Sequence, residues 1–525
     1  MVTWYHALDD SLMFVRYADH VIHAGSVAWN VPGPPTYGLT SLAYLLFVVP
    51  ARMLEPDSAG AAVVLASLAS GILFLVLLAR LVVRFGGAVS AITRRATTLI
   101  VVAAIVASSF TLGFHLTSGM DTMFAAATVA ALLLAHLTNE QRATRSLTAA
   151  LGLSTALVFL VRPDLMIYSV GIPATALVLA RDTESRRRFA AILGLGAAAL
   201  AVELFVTDRY FGHPFPLPFY AKGMHSYGEH VIAAYHSYAG EQFASYVTRH
   251  FPLFAIPLAL GAYVWLFQGI RTFTRVELGI AASTAVYLAY FRFFVLPIMG
   301  MECRFYFPTL PALVFLSTRC LVLSIERPGP VQRWFASARS FLGALVGRRP
   351  GFARLSAVSV LVAFTLVGVV RARQAVAAVR EMRAQHSFDL SVQYSGLVTA
   401  LWFRLDEVSA LPNDLVMATT EVGLPSAFNP SKTIVDLAGL NDADVVRQGF
   451  LANRVVHRYR PDFLYMPHPD YVEMNGALMG DSDFTREYEV FPGERLGAKM
   501  GVALRRDSKY YPQLLAIVHE GARPL

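Results

Sequence analysis

The chain has 525 residues, of which 55% are hydrophobic and only 15% charged, and its formal net charge is +8. Soluble domains carry about a quarter charged residues, so this composition excludes a soluble globular protein and indicates an integral membrane protein. The positive surplus is mostly arginine in short loops, with no phosphate loop, metal-finger spacing or aromatic-interleaved basic tract, which excludes a nucleic-acid partner.

In chain order, the first element is an acidic, aromatic-rich amphipathic segment, ALDDSLMFVRYADHVIHAGSVAWNVPGPPTYGLTS (residues 7–41). Within it Asp10, Phe14 and Tyr17 share one helical face, and Asp9, Met13 and Arg16 share another. Residues 39–55 are apolar but short and end in Pro50 and Arg52, so they read as an interfacial or re-entrant segment. Membrane helices of about 20 apolar residues are predicted near 60–84, 97–113, 119–137, 147–161, 164–180, 189–207, 251–269, 276–296, 303–323 and 354–370.

Loops between these spans alternate in charge. Arg94 and Arg95, Arg142 and Arg145, Arg181 with Arg186 to Arg188, Arg271 and Arg275, and Arg327, Arg333, Arg339, Arg348 and Arg349 form one set, which the positive-inside rule makes cytoplasmic. The opening segment, the loop 208–250 and the C-terminal 155 residues then face outward. An outward-facing acidic segment is expected to follow a membrane helix, and none precedes Asp9 in this sequence. Residues 372–390 look helical and polar, and from 412 onward short β-branched runs alternate with turn signals. The fold expected is a polytopic α-helical membrane protein of about ten transmembrane helices with a small C-terminal extracytoplasmic α/β domain. Its parts are an acidic amphipathic segment at 1–58, a transmembrane region at 59–371 and the α/β domain at 372–525. Cys303 and Cys320 would lie roughly 25 Å apart on one helix, too far to bridge.

Five outward-facing clusters could carry chemistry: Asp9-Asp10 with Arg16 and Tyr17; His115 and Asp121 in GFHLTSGMDTMFAA; Arg162 and Asp164 in VRPDL; Tyr220 and Lys222 in DRYFGHPFPLPFYAKG; and Glu302 and Arg304 in MECRFYFP. Taken singly, each has a structural counterpart in helix capping, a buried hydrogen bond or an interfacial arginine. Together, ionisable groups at membrane depth are costly and usually functional, and their gathering on one face describes an external active site. The chemistry they suit is glycosyl transfer from a lipid phosphate. A carboxylate takes the acceptor's proton, and cations offset charge on the departing phosphate.

The order DDSLMFVRYADH, WNVPGPPTYGLTS, TSGMDTMFAA, VRPD, YFGHPFPLPFYAKG, ECRFYFPTLPAL and VGLPS…IVDLAGLND resembles GT-C-type glycosyltransferases, specifically the family of the mycobacterial terminal arabinofuranosyltransferase. The resemblance runs through essentially the whole chain. It implies a polyprenyl-phosphate sugar donor, inversion at the anomeric carbon, action on the extracytoplasmic face of the bacterial inner (cytoplasmic) membrane, and a catalytic acid in the pair Asp9-Asp10. Arabinofuranose is the sugar it implies, and an envelope glycan, glycolipid or glycoprotein the acceptor. Asp10 is the first choice for general base because it directly precedes the face bearing Tyr17; Asp9 could serve instead, orient the acceptor or hold a divalent cation. Lys222, Arg162, Arg304 and Arg16 are assigned to the donor phosphate, and His115, Asp121, Tyr17, Tyr220 and Glu302 to sugar or acceptor. No spacing demands a metal. The alternatives left open are a transporter or flippase of lipid-linked sugars and a non-catalytic envelope assembly factor.

Overall fold

The computed structural model describes residues 8–85, 97, 98, 101, 109–223, 229–268, 272–295, 300–326, 373, 380 and 401–521. The predicted span 354–370, most of 97–113, nearly all of the polar stretch 372–390, and Arg94, Arg95, Arg271, Arg327, Arg333, Arg339, Arg348 and Arg349 lie outside the described residues.

The opening segment forms helix α1 (Asp9–Ala24), with both acids in its first turn, where they favour the helix dipole. Gly25 ends it at φ 62°, a left-handed conformation that glycine adopts without strain. Helix α2 (Leu45–Leu54) follows. Its ten residues span about 15 Å, half of a bilayer's hydrocarbon core. Then come α3 (Ala59–Phe85), α4 (Ser109–Thr117), α5 (Thr122–Gln141), α6 (Arg145–Val161), α7 (Met166–Leu179) and α8 (Thr183–Phe211). They are followed by the short α9 (Leu217–Gly223), the 40-residue α10 (Glu229–Gln268), α11 (Arg275–Phe293) and α12 (Leu310–Glu326). Among the described residues, four stretches are long and apolar enough to cross a membrane: Ala59–Phe85, Thr122–Gln141, Thr183–Phe211 and Met301–Ser324. α6 and α7 are shorter apolar helices.

One expectation is revised. Residues 208–250 are not an extended loop: α8 runs to Phe211 and closes on Gly212 (φ 78°), and the stretch from Glu229 is helix continuous with the predicted span 251–269. Its sequence HVIAAYHSYAGEQFASYVTRH is too polar to read as membrane, yet contains no proline to interrupt a helix.

Helices α6 and α8 approach closely through small residues. A Cβ on Gly152 would sit 2.6 Å from the Leu195 Cβ, and one on Gly196 would sit 2.8 Å from the Thr155 hydroxyl. The arginine-bearing ends gather at one end of the bundle. Arg275 pairs with Asp182 at 3.0 Å and Glu140 at 3.7 Å, and the Arg188 guanidinium donates to the Asn139 carbonyl at 3.1 Å. The Asp182 carboxylate also caps α8 through the Ser185 N–H. At the opposite end lie Arg162, Asp121, the turn 301–304 and α1.

Residues 401–521 build a five-stranded sheet from β1 (Met417–Thr419), β2 (Ile434–Asp436), β3 (Phe463–Tyr465), β4 (Tyr488–Phe491) and β5 (Val502–Arg505), in the order β2-β1-β3-β5-β4. β1 pairs in parallel with both β2 and β3, while β5 is antiparallel to β3 and β4. Short helices α13 (Gly423–Phe428) and α14 (Ala443–Gln448) join the parallel strands.

Candidate active site

A cavity of about 1380 Å³ lies where α1, the bundle and the sheet meet. Asp9 and Asp10, Arg162 and Asp164, Glu302 and Arg304 line it from the helical side; Thr420, Glu421, His468, Asp470, Tyr471 and Lys499 line it from the sheet side.

Its cationic wall is built on one aromatic ring. The guanidiniums of Arg162 and Arg304 each lie 5.6 Å from the centroid of Phe305. Arg162 forms a two-pronged pair with Asp164 (3.0 and 3.1 Å), whose carboxylate also accepts the Tyr287 hydroxyl at 2.6 Å. Arg304 donates to Asp121 at 3.0 Å. Those pairs fix both side chains without using them up: Nη1 of Arg162 and Nε of Arg304 are buried and have no hydrogen-bond partner. A buried donor without a partner costs about 1–3 kcal/mol, so this wall keeps two guanidiniums together at an energetic cost.

The turn that carries Arg304 is strained, with Glu302 at φ 49° and Cys303 at φ 60°. His115 holds it from behind. Fully buried, it donates from Nε2 to the Glu302 carbonyl at 3.1 Å and packs its ring 4.8 Å from Phe307. The Glu302 carboxylate pairs with Arg249 of α10.

On the acidic side the two neighbours divide. Asp9 is buried, and its oxygens accept the N–H groups of Leu424 (2.6 Å) and Gly423 (3.1 Å), capping α13 of the sheet unit. Burial, and then the neighbouring Asp10, push its pKa up to about 7 against those two hydrogen bonds. Asp10 is half-buried and lines the cavity. Glu421 stands two residues before Gly423. Its burial, and then Asp9, Asp10 and Asp436, push its pKa up to about 8, with Lys499 opposing them.

Several sequence assignments move. Arg16 does not line the cavity among the described residues; it is fully buried and donates to the carbonyls of Trp29, Ser426, Asn429 and Lys432 and to the Asn30 side chain. A guanidinium has five N–H donors, so nothing remains for a phosphate. Asp9 and Arg16 thus grip opposite ends of α13, acid at its N–H end and base at its carbonyl end, as the helix dipole favours. Tyr17 is also spent in this clamp. Its hydroxyl donates to Asn441 Oδ1 at 2.8 Å, and the Asn441 Nδ2 donates to Asp436 at 2.9 Å. The Trp29-Asn30 pair docks on the edge strand β2 through the Ile434 carbonyl and N–H. His115 and Asp121 stand behind the wall rather than in it. Tyr220 packs among His213, Phe215 and Phe219 and does not line the cavity. The Lys222 side chain lies outside the described residues.

Glu421, Lys499, His468 and Asp470 lacked a sequence signal. They sit in short turns without periodicity, although Glu421 directly precedes the VGLPS run. Among the described residues no group of three or more His, Cys, Asp and Glu side chains is arranged to hold a metal. Asp9 turns both oxygens to backbone N–H groups.

No family model and no curated protein matches the sequence. Among solved structures, the chain is similar to ArnT from Cupriavidus metallidurans bound to undecaprenyl phosphate. The TM-score is 0.52 at 14% identity, covering 96% of this chain and 95% of that one. The same protein in its apo state gives a TM-score of 0.52 at 14% identity over 100% and 96%. The fold is that of ArnT. It agrees with the apolar helices in making this a helical membrane protein.

Proposed function

We propose that the chain is a GT-C-type glycosyltransferase. It moves a sugar from a polyprenyl-phosphate donor to an envelope glycan, glycolipid or glycoprotein on the extracytoplasmic face of the bacterial inner membrane. The observation that carries this reading is the Arg162–Phe305–Arg304 stack, which lines the same cavity as Asp10. The fold supports it, since ArnT, whose fold this chain shares, was crystallised with undecaprenyl phosphate bound.

In this reading the donor phosphate binds Arg162 and Arg304, with Lys222 of α9 as a further cation. Its tail leaves through the apolar side of the cavity between the end of α11 and α9, where Phe294 and Phe219 are exposed to the surroundings. The acceptor hydroxyl attacks the anomeric carbon and gives its proton to the Asp10 carboxylate. The bond from that carbon to the phosphate oxygen breaks, the phosphate departs with the electron pair, and the configuration inverts. Asp9 positions Asp10 by anchoring the start of α1 to α13, and no step is routed through a cation. Asp121 and His115 hold Arg304 and its turn. Arabinofuranose, the sugar the sequence resemblance names, is the first donor to test.

The test is binding of radiolabelled undecaprenyl phosphate to the purified protein in nanodiscs. Losing one charge-assisted hydrogen bond costs about 1.5–3 kcal/mol, so Arg162→Lys and Arg304→Lys should each weaken binding by about ten- to hundredfold. No binding by the wild type, or binding unaffected by either change, would refute the assignment.

A further inference from the structure

The sheet meets the cavity by one particular edge. Residues that follow the carboxyl ends of the three parallel strands all line it: Thr420 and Glu421 after β1, Leu440 after β2, and His468, Asp470 and Tyr471 after β3. Lys499 precedes β5, which is antiparallel to β3 and so begins at the same edge. The order β2-β1-β3 means that the chain leaves β1 to one side and then crosses to the other, so the strand order reverses between β1 and β3. In open sheets with parallel strands, ligands settle outside the carboxyl ends at such a reversal, because the two connections diverge there and leave a crevice. Here the two lips are pinned together at their base by the His468 N–H, which donates to the Thr420 hydroxyl at 3.1 Å. Above that bond the side chains of Glu421, Asp470 and Lys499 open into the cavity, facing the wall that holds Asp10.

We infer that this strand-end crevice is the acceptor-binding wall of the site and takes a neutral, hydroxyl-rich glycan. The inference rests on the glycosyltransferase reading and assigns the sheet unit the acceptor half of it. The composition of the edge selects the class. Two carboxyl groups accept hydrogen bonds from sugar hydroxyls, one ammonium donates to them, and the Tyr471 ring beside them offers an apolar face. Burial keeps Glu421 largely protonated near neutral pH and Asp470 offsets Lys499, so the edge has no surplus cation for a polyanion, while the paired guanidiniums across the cavity receive the donor's phosphate. The clamp on α13 keeps the halves in register, because Asp9 grips Gly423 two residues after Glu421 and one residue before Asp10.

The experiment uses full-length protein in nanodiscs, without donor, on an array of lipid-free neutral and phosphorylated oligosaccharides. Titration of the tightest ligand follows, with undecaprenyl phosphate binding measured in parallel. Glu421→Gln keeps the shape of the side chain, and Lys499→Ala alters an exposed one. A neutral glycan should bind the wild type and lose about tenfold in affinity with either variant, the equivalent of one hydrogen bond. Undecaprenyl phosphate binding should stay within about twofold. The same glycan result with no undecaprenyl phosphate bound would uphold this wall and remove the donor reading. Glycan binding indifferent to both variants, or no neutral glycan bound, overturns the inference while leaving intact donor binding to stand. A preference for phosphorylated ligands, strengthened by Glu421→Gln, overturns the neutral class.

Discussion

Substituting Gly423 by alanine tests the clamp between α1 and the sheet unit. A Cβ there would lie 1.9 Å from the Asp9 carbonyl oxygen and 2.4 Å from its carbonyl carbon. Ordinary van der Waals contact begins at 3.4 Å, so α13 must retreat by about 1.5 Å. The obstacle is backbone rather than a movable side-chain tip. That retreat takes the N–H groups of Gly423 and Leu424, now 3.1 and 2.6 Å from the Asp9 carboxylate, beyond hydrogen-bonding range. Above about pH 8, where Asp9 is ionised, two bonds to a charged group at about 1.5–3 kcal/mol each give an expected loss of about 3–6 kcal/mol from the docking of the sheet unit. Amide hydrogen exchange over residues 417–436 reads this directly, with a rise of about two orders of magnitude or more. Sugar transfer should fall with it, because Glu421 and Asp10 lose their common anchor. Unchanged exchange and unchanged transfer in Gly423→Ala would refute the clamp.

The acids at this junction predict a pH dependence. Burial comes first among the causes that raise Asp9 and Asp436 from 3.8 to about 7 and Glu421 from 4.5 to about 8. The folded state therefore binds more protons than the unfolded one between those limits, so the stabilisation is complete below about pH 4 and is lost as the pH rises through 7 and 8. The thermal midpoint should fall between pH 6 and 9, and Glu421→Gln should flatten the upper part of that fall. A midpoint that rises over this interval would contradict the assignment. Metal removal gives a separate check. With Asp9 turned to backbone N–H groups, EDTA should leave transfer within about twofold, and a larger loss restored by magnesium would give the acidic pair a cation.

Local sequence carried the helices well where hydropathy is high: the predicted 60–84 coincides with Ala59–Phe85, and 147–161 with Arg145–Val161. It failed where a helix leaves the apolar range, as in the first half of Glu229–Gln268, because a hydropathy window registers membrane rather than backbone. Of the site, Asp9, Asp10, Arg162, Glu302 and Arg304 were legible because each sits in a short motif at a helix end. Their division of labour was not. Arg16 and Tyr17 share α1 with the acids, yet their partners, Ser426 and Asn441, lie 410 and 424 residues away, and no periodicity reports such contacts. The same distance hid Glu421 and Lys499, which become neighbours of Asp10 only once the sheet docks.

The central claim is that Asp10 takes the acceptor's proton in a cavity whose far wall holds a lipid phosphate. The most direct test supplies a radiolabelled polyprenyl-phosphate pentose and an envelope glycan to purified wild type and Asp10→Asn, with undecaprenyl phosphate binding as the control for folding. Removing a general base costs about 10²- to 10⁴-fold. The account predicts transfer by the wild type, a loss of that size in Asp10→Asn, and equal binding of the lipid phosphate by both. Equal transfer by the two proteins would contradict it.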